Sequence, residues 1–306
     1  MTSQPLLGSF LAIGASLFWT LAPFLFASAV RSIGAWRVNP LRLAAAALIL
    51  TALAAAYAVF DRSVAFDMQA PVLAWLAVSG VVGLVIGDAL YLTSLGFLGP
   101  RRTLQILVLA PAISALIAWL WLGERITAVG TIGLVVTLAA LSLATALDQR
   151  RKDSNEPGAF SWPGLLIALA ASVCHGSAAV LARKAFLIRP DLNPVLATST
   201  RIVSSAAAIW IWVVLRGQAV PVLKGCANRP AMKRLAAAVL LGPVLGMICY
   251  VSAFKTTPAG VVSLLSSLSP VLIIPITAWR YKTRLDYAAL ACMAMAIAGV
   301  VMVVLR

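Results

Sequence analysis

The sequence predicts an all-α integral membrane protein with ten transmembrane helices, arranged as two inverted five-helix repeats around a central cavity. The composition, ten apolar runs and an internal duplication carry this prediction. Of the 306 residues, 62% are hydrophobic and 11% are charged, whereas soluble domains contain about 45–50% apolar and about 25% charged residues. Such an excess of apolar side chains fits a protein whose residues face lipid as well as the protein interior.

The ten apolar runs each come close to the ~20 residues that an α-helix needs to cross the hydrocarbon core. They lack the short alternating pattern of the strands of a membrane barrel. Between the third and fourth runs, residues 96–103 must form a very tight turn. The runs cover residues 7–29, 38–60, 71–95, 103–122, 127–147, 163–185, 194–215, 235–254, 259–279 and 285–305.

The chain divides at a polar, charged linker, residues 148–161, into two parts with five runs each, 1–147 and 162–306. At an offset of 159 residues the parts share residue types, which pairs Gly83, Gly87, Tyr91, Pro111, Arg125 and Arg42 with Gly242, Gly246, Tyr250, Pro270, Arg284 and Arg201. In the first helix of each part the offset is 156, which pairs Trp19 with His175. We therefore predict that one five-helix unit occurs twice.

An odd number of helices makes each unit begin on one side of the membrane and end on the other. The second unit is then inserted upside down relative to the first. Inverted repeats place a pseudo-two-fold axis in the membrane plane and the substrate site near the midplane. Two complete repeats in one chain allow a monomer to work, although a homodimer is equally compatible with the sequence.

Two short segments match a known family. Leu109-Ala110-Pro111, followed by Leu-Gly-Glu-Arg at 122–125, and Leu268-Ser269-Pro270 each follow a glycine-rich helix that ends in tyrosine. Together with the duplication, they resemble the EamA branch of the drug/metabolite transporter superfamily. The resemblance covers both parts of the chain, so that 1–147 and 162–306 each resemble one EamA-type repeat. The sequence departs from the pattern at 282–284, where Lys-Thr-Arg replaces Gly-Glu-Arg.

The resemblance implies ten transmembrane helices and a basket-like cavity lined by helices one to four and six to nine. It also implies transport of small molecules, often efflux.

Asp88 is the only acidic residue well inside an apolar run. A charge in mid-helix costs ~2.5–3.5 kcal/mol on the insertion scale, so it should face a wet cavity or a partner. One interpretation is a proton-coupling site or a ligand for a substrate amine. The other is a structural ion pair with Arg42 or Arg102, or a neutral buried acid.

Arg42 and Arg201 occupy the same place in the two parts, about one turn into the second helix of each. They either flank the cavity and bind a carboxylate or phosphate, or extend to the lipid headgroups. If both face the cavity together with Asp88, a zwitterion such as an amino acid is matched at both of its ends.

His175, the only histidine, lies in mid-helix. It is either a proton relay, since histidine changes charge near neutral pH, or a structural residue hydrogen-bonded to a neighbour. Trp19, Tyr91 and Tyr250 are candidates for aromatic walls of the cavity, or for packed or lipid-facing aromatic residues.

Small residues and prolines shape the equivalent helices. Gly83 with Gly87, and Gly242 with Gly246, are small-xxx-small pairs that allow close helix packing. Pro111 and Pro270 lie near the middle of helices four and nine, where each frees a backbone carbonyl and kinks the helix. These kinks are either flexing points for gating or fixed bends. Gly123 is predicted to end helix four.

The sequence contains no phosphate loop, metal-binding cluster or nucleophile with its base, and the four cysteines are not spaced as a metal or redox motif. We therefore expect no enzyme activity, metal or cofactor. The Lys and Arg residues that give the formal net charge of +15 lie mostly between the apolar runs. This placement indicates membrane orientation and contact with anionic lipid headgroups rather than a nucleic-acid partner.

These features predict a secondary transporter in the inner cell membrane that exports small polar metabolites, such as amino acids, with the proton as the candidate coupling ion. One alternative is a flippase for lipids or lipid-linked sugars, with Arg101 and Arg102 as its headgroup site. The other is a membrane interaction subunit that transports nothing.

Overall fold

The computed structural model describes residues 3–60, 69–150, 161–272, 276 and 287–304, and every regular element within these ranges is helical. The first part of the chain forms α1 (Ser3–Ile33), α2 (Ala35–Phe60), α3 (Ala70–Gly80), α4 (Asp88–Leu107), α5 (Ala110–Leu122) and α6 (Ala128–Arg150). The second part forms α7 (Trp162–Ile188), α8 (Pro194–Leu215), α9 (Ala219–Lys224), α10 (Arg229–Val239), α11 (Met247–Ala253), α12 (Ala259–Ser266) and α13 (Tyr287–Val304). Most of the predicted linker, residues 151–160, lies outside the described residues.

Six helices in the described ranges are long and apolar enough to cross a membrane: Trp36–Tyr57, Ala70–Ser94, Arg102–Leu122, Trp162–Ile188, Pro194–Leu215 and Arg229–Ala253. Four shorter apolar helices accompany them: Leu6–Ala22, Ala128–Ala144, Ala259–Leu272 and Leu290–Val304. Large apolar side chains point outward, and Leu48 and Leu215 are 74% and 80% exposed. Apolar surface that the protein leaves uncovered fits a lipid environment, so the chain is a multi-pass membrane protein.

Polar residues followed by proline begin several helices. The side chain of Asn193 accepts hydrogen bonds from the backbone of the first turn of α8, and Asn228 does the same for α10. Proline follows within two residues in both cases and needs no hydrogen bond in the first turn. At the other end of a helix, Gly123 has a φ of +68° and ends α5, which confirms the predicted end of this helix.

The chain reverses direction between the third and fourth apolar runs, as the sequence predicts. Nine residues of straight helix would separate Ser94 from Thr103 by about 13.5 Å, but their hydroxyl oxygens are 3.4 Å apart. The residues of this reversal still have helical backbone geometry, since they lie within α4, which ends at Leu107. Two antiparallel spans are thus joined without an extended loop.

The two parts of the chain interlock. Helix α1 packs along α10, α11 and α12, and α7 correspondingly packs along α3, α4 and α5. Three further pairs join equivalent helices: α2 with α8, α5 with α12, and α6 with α13. Neither part therefore forms a bundle of its own, and the centre of the molecule lies where helices of both parts meet.

A partly buried ion pair connects the turn after α5 to the second part. Arg183 donates from Nε to Glu124 Oε1 at 2.7 Å and from Nη1 to the carbonyl of Phe254. The other carboxylate oxygen of Glu124 accepts from the backbone N–H of Ala259 at 2.9 Å. Glu124 therefore neutralises a mostly buried arginine and caps α12 at the same time.

We expect Glu124→Ala to destabilise the protein by ~3 kcal/mol, because Arg183 would be left without its counter-ion. The apparent melting temperature of purified protein in detergent measures this loss. Arg125→Ala is the matched control, because Arg125 is the neighbouring residue and is exposed. Equal melting temperatures for the two variants would contradict the assigned role of Glu124.

Candidate functional site

A cavity of about 500 Å³ lies at the centre, where helices of both parts meet. Its wall is mostly apolar. The wall includes Trp19, Ala22, Phe26, Leu43, Leu84, Leu104, Leu107, Val108, Ala178, Ile202, Met247 and Tyr250, with the charged or titratable side chains of Arg42, Asp88, His175 and Arg201. Six of the seven residues that the sequence predicts for the cavity therefore line it, and their role in binding stays a prediction.

Asp88, Arg42 and His175 form one cluster of polar side chains. Arg42 on α2 donates from Nη2 to Asp88 Oδ2 at the start of α4. The imidazole Nε2 of His175 lies 3.8 Å from the other carboxylate oxygen. Asn39 holds the guanidinium in place by accepting from Arg42 Nε at 2.7 Å. Of the alternatives that the sequence left open, Asp88 has the ion pair with Arg42, and this pair also faces the cavity.

Arg201 lies in a different electrostatic environment. Its exposed fraction is 2%, so the side chain does not extend to the membrane surface. The guanidinium lines the cavity, with its centre 5.8 Å from the ring centroid of Tyr250 and Nη1 3.7 Å from the sulfur of Met247. Its Nε has no hydrogen-bond partner in the part of the chain that the structure describes. Among the described residues, no carboxylate forms a salt bridge with it.

The difference between the two arginines follows from one substitution between the repeats. The offset of 159 that relates Arg42 to Arg201 also relates Asp88 to Met247. Arg42 contacts Asp88, and Arg201 contacts Met247. The two halves therefore make the same contact at equivalent positions, but only the first half has an acid there.

Aromatic rings form part of the wall next to Arg201. The rings of Trp19 and Tyr250 are 5.1 Å apart between centroids, and those of Tyr250 and Phe254 are 4.7 Å apart. The indole N–H of Trp19 donates to the carbonyl of Gly242 at 3.3 Å, which fixes the ring. Tyr91 is not among the residues that line the cavity. It lies one turn beyond Asp88, towards the chain reversal, so it does not form a second wall equivalent to Tyr250.

The comparisons with known proteins agree with this architecture. The model of the EamA-like transporter family matches the chain twice, over residues 6–146 and 162–305. The chain belongs to the EamA-like transporter family. A solved crystal structure, described only as that of a protein, matches 100% of this chain and 98% of its own with a TM-score of 0.71. At 20% identity it shows a shared fold alone. No curated protein matches the chain.

In this EamA protein the paired glycines lie at equivalent helix contacts. A Cβ on Gly83 would lie 2.9 Å from Cβ of Ala178 on α7, and one on Gly242 would lie 3.1 Å from Cβ of Ala22 on α1. Gly87 similarly faces His175, and Gly246 faces Trp19. Each half thus uses its glycine pair to pack against the first helix of the other half, as expected for small-xxx-small pairs.

The two prolines follow interruptions in their helices. The helix breaks at Val108–Leu109, and Pro111 lies in the first turn of α5. Helix α12 ends at Ser266, and Pro270 follows the turn at Ser267–Leu268. These breaks are again 159 residues apart, and both prolines line the cavity. Sequence reasoning placed each proline in mid-helix, whereas each lies in the first turn after a break. Gating at these breaks stays a prediction.

Several features of the site were missed by sequence reasoning. Two π-helical turns, π1 (Val81–Gly87) and π2 (Leu240–Gly246), join α3 to α4 and α10 to α11. Such turns are frequent at functional sites, and their signal was the glycine spacing together with Pro243 inside a helix. The importance of Met247 was also missed, although the offset pairs it with Asp88. Serines at 263, 266, 267 and 269 add hydroxyl groups to the wall.

We expect Gly246→Ala to destabilise the protein by about 1–3 kcal/mol, because its Cβ would lie 2.6 Å from Trp19 Nε1 and displace the indole. The apparent melting temperature in detergent is the measurement. Gly14→Ala is the control, since a Cβ at Gly14 meets nothing within 4 Å. A variant at Gly246 that is as stable as the one at Gly14 would show that the contact with Trp19 is not tight.

Proposed function

We propose that the protein is a secondary transporter that exports small polar metabolites, such as amino acids, across the inner cell membrane by alternating access. The observation that carries the proposal is the central cavity, which is walled by equivalent helices of both halves and is lined by Arg42, Asp88, His175 and Arg201. Charged groups inside a membrane protein mark substrate or ion pathways by default.

Alternating access requires two halves of similar shape and opposite direction, which we propose are two inverted units of five membrane-spanning helices. The direction of the contacts supports this arrangement. Along α7, Ser172 bonds to the carbonyl of Ile106 and Gly176 faces Ala110, so α7 runs parallel to the chain leading into α5. The equivalent contacts run parallel along α1, from Gly8 beside Thr257 to Ser16 beside Ser269.

The same helices run antiparallel to their other neighbours. Ser79 bonds to the carbonyl of Ala178, whereas Gly87, farther along its own helix, faces the earlier residue His175. If successive spans alternate in direction, the first and third spans point the same way and the fourth points the opposite way. Helix α7 is parallel to the fourth span and antiparallel to the third, so its direction is opposite to that of the first. This relation supports inverted rather than parallel repeats.

We propose that the group formed by Asp88, Arg42 and His175 couples transport to the proton. The side chain of Asp88 is 18% exposed, and its two carboxylate oxygens lie beside Arg42 and His175. Protonation of Asp88 would release Arg42, so the charge distribution in the cavity would depend on the proton gradient.

The test is flux of a panel of radiolabelled amino acids and related metabolites into proteoliposomes, with and without a pH gradient. We expect gradient-stimulated flux, and we expect Asp88→Asn to reduce the stimulated rate at least tenfold, about 1.4 kcal/mol or more of coupling. Asp191→Asn is the matched control, because Asp191 also pairs with an arginine but is exposed.

Wild-type flux in the Asp88→Asn variant would contradict proton coupling through Asp88. Absence of flux across the panel, with rapid movement of a fluorescent phospholipid between the leaflets, would contradict metabolite export and favour the flippase.

A further inference from the structure

The charge of Arg201 is buried in the cavity wall without a counter-ion among the described residues. Arginine does not release its proton in proteins, and a buried charge is costly unless it is paired and hydrogen-bonded. The ring of Tyr250 and the sulfur of Met247 contact the guanidinium, but neither has a negative charge. Among the described residues, the guanidinium of Arg201 therefore has no negative charge beside it.

The first half shows where an anion would lie. At the equivalent position, Arg42 is neutralised by the carboxylate of Asp88. Met247 occupies the corresponding place beside Arg201 and is itself part of the cavity wall. A ligand in the cavity would therefore approach the guanidinium beside the side chain of Met247.

We infer that Arg201 binds the carboxylate of the transported molecule, which replaces in the second half the counter-ion that Asp88 supplies in the first. The inference rests on the proposed transport function and adds the substrate class, small monocarboxylates with an apolar body. Guanidinium and carboxylate form paired, charge-assisted hydrogen bonds. Arg201 Nε is buried and has no hydrogen-bond partner among the described residues.

The charge of the cavity favours a carboxylate over a phosphate. Among the described residues that line the cavity, Arg42 and Asp88 cancel and Arg201 adds one positive charge. A carboxylate carries one negative charge, whereas a phosphate monoester carries about 1.5 to 2 at pH 7. The phosphate would bring about half to one unit of negative charge into the cavity without a partner.

The rest of the wall favours an apolar body on the ligand. Trp19 and Tyr250 present ring surface next to Arg201, and Phe26, Leu84 and Ile202 continue the apolar wall. Apolar pockets with a few polar groups that fix orientation are typical of small-molecule sites. The carboxylate would orient the ligand, and the apolar wall would bind the remainder.

The experiment measures binding of four probes that share a phenyl ring: benzoate, benzamide, benzylamine and phenyl phosphate. Thermal-shift titration of the full chain in detergent gives an apparent Kd for each, since a ligand that binds the folded state raises its stability. We expect benzoate to bind at least tenfold more tightly than the other three, as expected for a charge-assisted pair. Equal binding of benzoate and benzamide would overturn the inference, and tighter binding of phenyl phosphate would identify a phosphate site instead.

The Met247→Asp variant adds a carboxylate beside Arg201. Its effect on benzoate affinity can be distinguished from its effect on stability. We expect this variant to be at least as stable as the wild type, because Arg201 gains a counter-ion, and to bind benzoate at least tenfold more weakly. Met247→Leu changes the side chain without adding charge, and its benzoate affinity is the reference against which the effect of the added carboxylate is measured. Wild-type benzoate affinity in Met247→Asp would overturn the inference, whether or not stability changes.

Arg201→Gln gives a second test that does not depend on Met247, with an expected loss of at least tenfold in benzoate affinity. Flux of [¹⁴C]benzoate in proteoliposomes then separates the inference from the proposed function. Arg201-dependent binding without flux would support the anion site and contradict transport of the bound class. Flux of other metabolites that does not depend on Arg201 would support transport and contradict the anion site.

Discussion

The structure depends on one constraint: a charge inside a membrane protein needs a counter-charge, because neither lipid nor packed side chains can solvate it. Two equivalent arginines, Arg42 and Arg201, face one central cavity, but the described residues provide a single acid, Asp88. Among the described residues, Arg42 therefore has a counter-ion and Arg201 has none. This unpaired positive charge makes the net charge of the cavity positive. It also makes the sides lined by the two halves different, although their backbones are similar.

The cavity lies between the two halves because the helices of each half pack against helices of the other half rather than forming a bundle of their own. The glycine pairs of each half bring its third helix against the first helix of the other, and the π-helical turns and proline-associated breaks lie around the space between them. Their common offset of 159 shows that the two halves use the same local devices. Glu124 differs, since the position 159 residues later is Thr283. The ion pair of Glu124 with Arg183 thus holds the turn after α5 in place, and the second repeat has no acid at the equivalent position.

Much of this architecture follows from the sequence, because lipid imposes a simple rule on length and hydropathy. The all-helical character, the tight reversal before Thr103 and the end of α5 at Gly123 agree with the structure over the described residues. Burial of Arg201 and the position of Tyr91 outside the cavity could not be predicted, since both depend on helix rotation and on which neighbour packs alongside. The π-helical turns were missed because one inserted residue leaves apolar periodicity almost unchanged. The sequence leaves two candidate ion-pair partners for Asp88, Arg42 and Arg102, and helix packing places Arg42 beside it.

The central claim is that two equivalent arginines share one acid, and moving that acid between the repeats tests it most directly. The measurement is the apparent melting temperature of Asp88→Met, Met247→Asp and the double variant, compared as a double-mutant cycle. The account predicts that Asp88→Met alone is destabilised and that the double variant recovers most of the loss, because the acid then pairs with Arg201 and only Arg42 stays unpaired. A double variant no more stable than Asp88→Met alone would contradict the equivalence of the two sites.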